Sequence, residues 1–271
     1  MNRRRLVIIF LLVISSFASS QNKSILEKNL TQGEALIFYL FHSGWAVKTQ
    51  NHLFIFDYWE KEEKPEQPSL LSGFINPSEI ASQNVYVFVS HRHYDHNDPI
   101  ILEWKERVKN IKYIFGWKAT DDSSHFYFQS ERKSYKTDDI EIFNIHHNFD
   151  GIPESAFLIF ADGLSIYHAG DHGHSEGQKN DIFRENVDYL AKLSKKIDIV
   201  FTPTFGDEYY TIEKLSPEVI FPMHNGGYEQ QYEKFADKVK DKGIKVNVGV
   251  AQNRGDCFLY SNGRLEKLEL K

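Results

Sequence analysis

Apolar residues in this chain fall into short, dense runs more often than into long helical stripes. "ALIFYLF" (35–41) and "HLFIFDY" (52–58) are rich in β-branched and aromatic residues and flank "WAVKTQ". They predict a short antiparallel meander. "VYVFVS" (85–90) is continuously apolar, the pattern of a strand buried on both faces. "IKYIFG" and "HFYFQ" predict further strands, and "DIEIFNI" (139–145) alternates with period two. "SAFLIFADGLSIYHAGD" predicts a hairpin that turns at Asp162-Gly163. Asn76-Pro77 and Asp98-Pro99 are cap-then-proline helix starts, the second continued by "IILEWKERVKN". "DIFRENVDYLAKLSKK" (181–196) and "YEQQYEKFADKVKDKG" (228–243) predict amphipathic helices, with a short one at "TIEKL". "DIVFTP", "EVIFPMH", "KVNVGV" and "CFLY" predict the remaining strands, and "WEKEEKPEQPS" (59–69) a surface loop. Strands come first and then alternate with helices, without repeat or linker. That order predicts packed sheets with helices outside.

The first twenty residues stand apart. "MNRRRLVIIFLLVISSFASS" has a basic start, an apolar run from Leu6 to Ile14, and small residues at Ala18 and Ser20. This predicts a secretory signal peptide over 1–20, cleaved between Ser20 and Gln21. The run is shorter than the ~20 residues of a membrane span, so no transmembrane segment is expected after cleavage. The expected location is the bacterial periplasm or beyond it, and the expected mature chain is a single domain over 21–271. Cleavage removes three arginines and no acid, which moves the formal charge from −6 to −9. An acidic chain without a basic cluster is a poor candidate for nucleic-acid binding, and no nucleic-acid partner is expected. The single cysteine, Cys257, makes no internal disulfide and reads as a buried strand residue.

Candidate chemistry begins where the apolar run 85–90 stops. His91, His93, Asp95 and His96 follow within six residues. Residues i and i+2 of an extended chain point the same way, so His91 and His93 are expected to share a metal. Asp95 and His96 lie near the helix start at Asp98, whose positive end favours a carboxylate. Imidazoles mixed with carboxylates suit Zn²⁺, with Fe or Mn as alternatives.

This H-x-H-x-D-H arrangement resembles the metallo-β-lactamase superfamily. "SIYHAGDHG" supplies Asp171 in the family's "GD" context, "VIFPMHNGG" supplies His224, and "IFNIHHNFDG" offers His146 and His147. Strand alternation does not separate that pair. Related "HS" motifs, with the ligand before a small polar residue, favour His147 ahead of Asn148. "YLFHSGWAVKTQNHLFIFDY" resembles the "GHS" meander of a subgroup that includes ascorbate-6-phosphate lactonase-like hydrolases, and places His42 and Asp57 at recurrent positions. Asp57 is expected to support a ligand imidazole from behind; His42 reads equally as a core histidine.

The resemblance implies an α/β (α+β) fold, a four-layer αββα sandwich. It also implies two divalent metal ions. One would be held by His91, His93 and His147, the other by Asp95, His96 and His224, with Asp171 bridging; Asp95 and Asp171 would also act in catalysis. A metal-bridging hydroxide would then attack a small ester, lactone or amide. The alternatives are a phosphodiesterase, phospholipase-D-like, and a metal-bound binding protein without catalysis. Trp45, Tyr58, Trp59, Tyr209 and Tyr210 are candidates for an aromatic rim, or for ordinary packing. His168 reads as a supporting or a core residue, and His172 and His174 as residues of the site mouth.

Overall fold

The structure is a computed structural model that describes residues 25–117, 126–127, 132–137, 139–149, 152–173, 180–194 and 196–270. The predicted leader, His125 and His174 lie outside the described residues. Strands β1 (Glu34–Phe41), β2 (Gly44–Lys48) and β3 (Leu53–Phe56) form the expected antiparallel meander. Strands β4 (Val85–Val89), β5 (Ile111–Phe115) and β6 (Phe126–Tyr127) then add in parallel to β3. At the far edge β14 (Cys257–Ser261) pairs with β1, and β15 (Arg264–Leu268) with β14.

The second sheet begins as an antiparallel ladder of β7 (Ser134–Lys136), β8 (Ile140–Phe149), β9 (Ile152–Ala161) and β10 (Leu164–His168). It continues in parallel through β11 (Ile199–Pro203), β12 (Val219–Met223) and β13 (Asn247–Val248). Helices α1 (Asn180–Leu193), α2 (Glu208–Leu215) and α3 (Gln230–Asp241) provide the connections between the parallel strands, as parallel pairing requires.

Burial explains the unbroken apolar runs. Ile37, Tyr39, Phe54, Phe56 and Phe88 face the second sheet, in one core with Phe157, Phe201 and Phe221. Their neighbours Leu36, Phe38, Leu40, Ile55 and Val87 point the other way, into a second core under Leu70, Ile101 and Trp104. Both faces of the first sheet are therefore dry, and alternation is lost.

The outer cover of that sheet differs from expectation. The segment after Asp98 is a 3₁₀ run, Pro99–Glu106, not an α-helix. Its three-residue repeat puts Ile101 and Trp104 on one side, both buried, and Asp98 accepts the Ile100 N–H at its start. Asn76-Pro77 forms only a turn, in which the Asn76 side chain accepts the Ser78 N–H. Among the described residues no helix is long and apolar enough to cross a membrane.

Candidate metal centre

His91, His93, Asp95, His96, Asp171 and His224 gather at one end of the sandwich, beyond the C-terminal ends of β4, β10 and β12. Residues 91–96 are not extended, so the i, i+2 argument does not describe their geometry. β4 stops at Val89 and the chain coils, with the His96 and Asn97 N–H groups both donating to the His93 carbonyl. The coil brings His91 and His93 edge to face, with 2.8 Å between His91 Nε2 and His93 Nδ1.

Asp171 lies at the focus. One of its oxygens is 3.1 Å from His224 Nε2 and 3.3 Å from His96 Nε2, and the other is 3.6 Å from His91 Nε2. A tetrahedral ion with bonds of about 2.1 Å separates its ligands by about 3.4 Å. Donor atoms from His91, His96 and Asp171 form one compact group. Those from His42, Asp95, His96 and His224 form a second, again within 4.8 Å of one another. His96 Nε2 and Asp171 Oδ1 are buried and have no hydrogen-bond partner among the described residues. Unpaired buried acceptors are costly unless something cationic fills the space between them. The residues present therefore fit a divalent metal centre.

Electrostatics agree. The ion-pair partners of Asp57, Asp95 and Asp171 among the described residues are all histidines. Burial would keep His96 neutral, but Asp171 and Asp57 overcome it and raise its pKa to about 10. His91 moves the other way, to about 4, through burial and the neighbouring His96. Burial also opposes the ionisation of Asp95, yet His42 and His96 hold it at about 2. Burial pushes the Glu154 carboxyl well up, and Asp171 adds to the rise.

The supporting layer is specific. Asp57 accepts the Ser90 N–H and Oγ–H, both at 2.7 Å, and sits 2.8 Å from His96 Nδ1. It lies behind the His96 ring and leaves His96 Nε2 facing Asp171. Glu154, which the sequence reading missed, accepts the Asp171 N–H at 2.5 Å. The ladder pairs His147 with Glu154 and His146 with Ser155. The strand continues through "HHNF", and the His147 side chain lies outside the described residues.

Other candidates separate from the site. Trp45 packs on Phe201 and Phe221, and Tyr58 on Trp104, so both are core. Tyr210 lies on α2 against Arg184 and Lys214, and Tyr209 carries Lys242 over its ring. Only Trp59 of the expected rim reaches the centre, edge-on to His42. Phe205, against His224, and the exposed Tyr94, against Trp59, complete a rim that the sequence reading did not assemble. His168 is a core residue stacked on Phe56, and His172 is buried against Tyr167 and Asn186 instead of lining the mouth. Cys257 is buried in β14, which pushes its thiol up to about 12.

The chain is similar to known proteins. Residues 36–224 match the family described as the beta-lactamase superfamily domain. A UPF0173 metal-dependent hydrolase from Lysinibacillus sphaericus (strain C3-41) is 29% identical over 168 residues, covering 58% of this chain. The chain spans 66% of that relative's length, just under two thirds. Igni18, a metallo hydrolase from Ignicoccus hospitalis KIN4/I, superposes with a TM-score of 0.61 at 19% identity, over 88% of this chain and all of that one. CmlA, a diiron β-hydroxylase from Streptomyces venezuelae, shares the fold at a TM-score of 0.53 and 12% identity, over 88% of this chain and 54% of its own. With the family match covering most of the sequence and both sheets in place, the chain belongs to the β-lactamase superfamily.

Proposed function

We propose that this protein is an exported, metal-dependent hydrolase of a small ester, lactone or amide, with a binuclear centre that takes zinc. The observation that carries the reading is the convergence of imidazoles and a buried carboxylate on atoms left without hydrogen-bond partners. His91, His93 and His147 would hold one ion, Asp95, His96 and His224 the other, and Asp171 would lie between them. What supports His147 over His146 is its register opposite Glu154, whose carboxylate meets the Asp171 N–H. Bound divalent ions would supply Lewis acidity and a coordinated water acidified to a pKa of about 7.

The chain's own residues then divide the work. Asp57 accepts the His96 Nδ1 proton and so fixes the ring tautomer. Glu154 fastens the loop that carries Asp171. Asp95, with 23% of its side chain exposed against 11% for Asp171, is the carboxylate better placed to take a proton from the attacking water. Trp59 and Phe205 wall the centre and limit the entry of bulk water. The sequence holds one G-x-S-x-G match, at 173–177, but this arrangement requires no side-chain nucleophile.

The test is turnover by zinc-loaded protein on a panel of esters, lactones, amides and phosphodiesters, with and without chelator. Metal-dependent turnover of the first three classes, abolished in His91→Ala, is expected. Preference for phosphodiesters would replace the substrate class, and no metal-dependent turnover on any class would overturn the hydrolase reading. N-terminal sequencing of protein recovered from its native host checks export: it should begin at Gln21.

A further inference from the structure

Two histidines in this chain take the same hydrogen bond at Nδ1 and differ at Nε2. His168 Nδ1 accepts the Gly170 N–H at 3.2 Å, and its Nε2–H donates to the Ser43 carbonyl at 2.9 Å. His42 Nδ1 accepts the Gly226 N–H, also at 3.2 Å. A backbone N–H only donates, so Nδ1 of each ring carries a lone pair and the proton sits on Nε2. The His168 proton has its acceptor. His42 Nε2 is buried with no hydrogen-bond partner among the described residues, and its nearest carboxylate oxygen, on Asp95, is 3.5 Å away.

Position alone groups His42 with Asp95, His96 and His224 as a metal-binding set. The tautomer argues otherwise. A ligating imidazole offers its lone pair to the metal and donates its other N–H to a partner. His96 is built that way, with Nδ1 against Asp57. His42 is built in reverse, so it presents a proton to the centre.

Its backbone holds this orientation against strain. His42 is left-handed at φ 54°, a conformation unfavourable for a non-glycine residue. Its N–H donates to Tyr39 Oη at 2.9 Å, and its carbonyl accepts from the His224 N–H at 3.2 Å and Tyr232 Oη at 3.3 Å. Gly226 approaches so closely that a Cβ there would lie 2.9 Å from both His42 Cβ and His42 N. The loops after β1 and β12 are thus locked together around one ring.

We propose that His42 is a hydrogen-bond donor of this site and not a metal ligand: neutral and protonated at Nε2, it binds the substrate oxygen that gains negative charge as the scissile bond is attacked. A donor aimed at developing charge in a water-poor site is a recurrent source of rate acceleration. The identity of that oxygen rests on the hydrolase reading, whereas the tautomer rests on the Gly226 hydrogen bond.

The experiment reads the ring directly. Long-range ¹H–¹⁵N correlation spectra of the whole protein, metal-free and zinc-loaded, report which nitrogen of His42 is protonated, with His42→Ala identifying the signal. Nε2–H in both states, and unchanged zinc content in His42→Ala beside loss in His96→Ala, is expected. Inorganic phosphate, titrated calorimetrically into zinc-loaded protein as an oxyanion probe, should bind about tenfold more weakly to His42→Ala, the worth of one hydrogen bond to a charged acceptor. His42→Gln, which keeps an N–H near Nε2, should recover most of that loss. An Nε2 that loses its proton on zinc loading, with zinc lost from His42→Ala, overturns the proposal in favour of a ligand. Equal phosphate affinity in wild type and both variants overturns the donor role. Wild-type protein that takes up no zinc sinks the hydrolase reading by itself, and an Nδ1-protonated ring in that same sample sinks the His42 assignment by itself.

Discussion

Asp57 is fully buried beneath the centre and left-handed at φ 41°, a conformation that Asn tolerates well. Asp57→Asn therefore keeps the shape and removes the charge that accepts the His96 Nδ1 proton. Metal affinity should fall about 10–100-fold, the usual cost of losing such a partner, and a competitive chelator titration reads it. Asp162 does comparable work at the other end of the sandwich. It accepts hydrogen bonds from Thr49 Oγ1 at 2.6 Å and from the Asn51 N–H at 3.0 Å, and lies 2.9 Å from His52 Nδ1. Burial opposes its ionisation, but His52 and Thr49 hold its pKa below the usual carboxylate range. A depressed folded pKa contributes stability in full above the unfolded value of about 4, and that contribution is lost as pH falls toward the folded value. Asp162→Asn should cost about 1–2 kcal/mol at pH 7, with the gap to wild type narrowing below pH 4 in thermal unfolding. The Asp162-Gly163 turn is legible in the sequence because its chemistry is local: both residues have positive φ. The clamp is not legible, because its partners lie more than a hundred residues away.

At the level of elements, strands are legible where their burial leaves a mark. β1, β3 and β4 show as apolar runs because both faces are dry, while β15, a charged and half-exposed edge strand, was missed. Its signal was the Asn262-Gly263 turn, also at positive φ in both residues. The helix start at Asp98-Pro99 is legible but its 3₁₀ form is not, because a proline start serves either form and only packing selects between them. One glycine joins the elements under the site. Gly116, just past β5, would place a Cβ 2.0 Å from the Ser90 carbonyl oxygen and 2.9 Å from the Ser155 N–H nitrogen. That carbonyl accepts the Ser155 N–H across the two sheets, and Ser155 Oγ donates to the Gly116 carbonyl. Gly116→Ala must push β4 away from β9 beneath His91. It should lower stability by about 1–3 kcal/mol in denaturant unfolding and weaken metal binding with it.

Across the whole molecule, the two halves of the chain each supply part of the centre, from strand ends that the sandwich brings together. The H-x-H-x-D-H cluster is legible because its members are neighbours in sequence, and "GD" and "PMH" because each follows a strong strand. Glu154 and Phe205 are not, and His42 is legible as a recurrent position but not in its role, since their meaning depends on the stacking of one sheet on the other. If metal bridges the halves, it also stabilises the fold through binding to the native state alone, so chelation should lower the melting temperature and added zinc restore it. The most direct test of the centre is metal content by elemental mass spectrometry on protein purified without chelator, beside His91→Ala and Asp171→Ala. About two divalent ions per chain, lost in part by each variant, is the expected result. Near-zero metal in the wild type, or full occupancy retained in Asp171→Ala, would contradict a metal centre focused on Asp171.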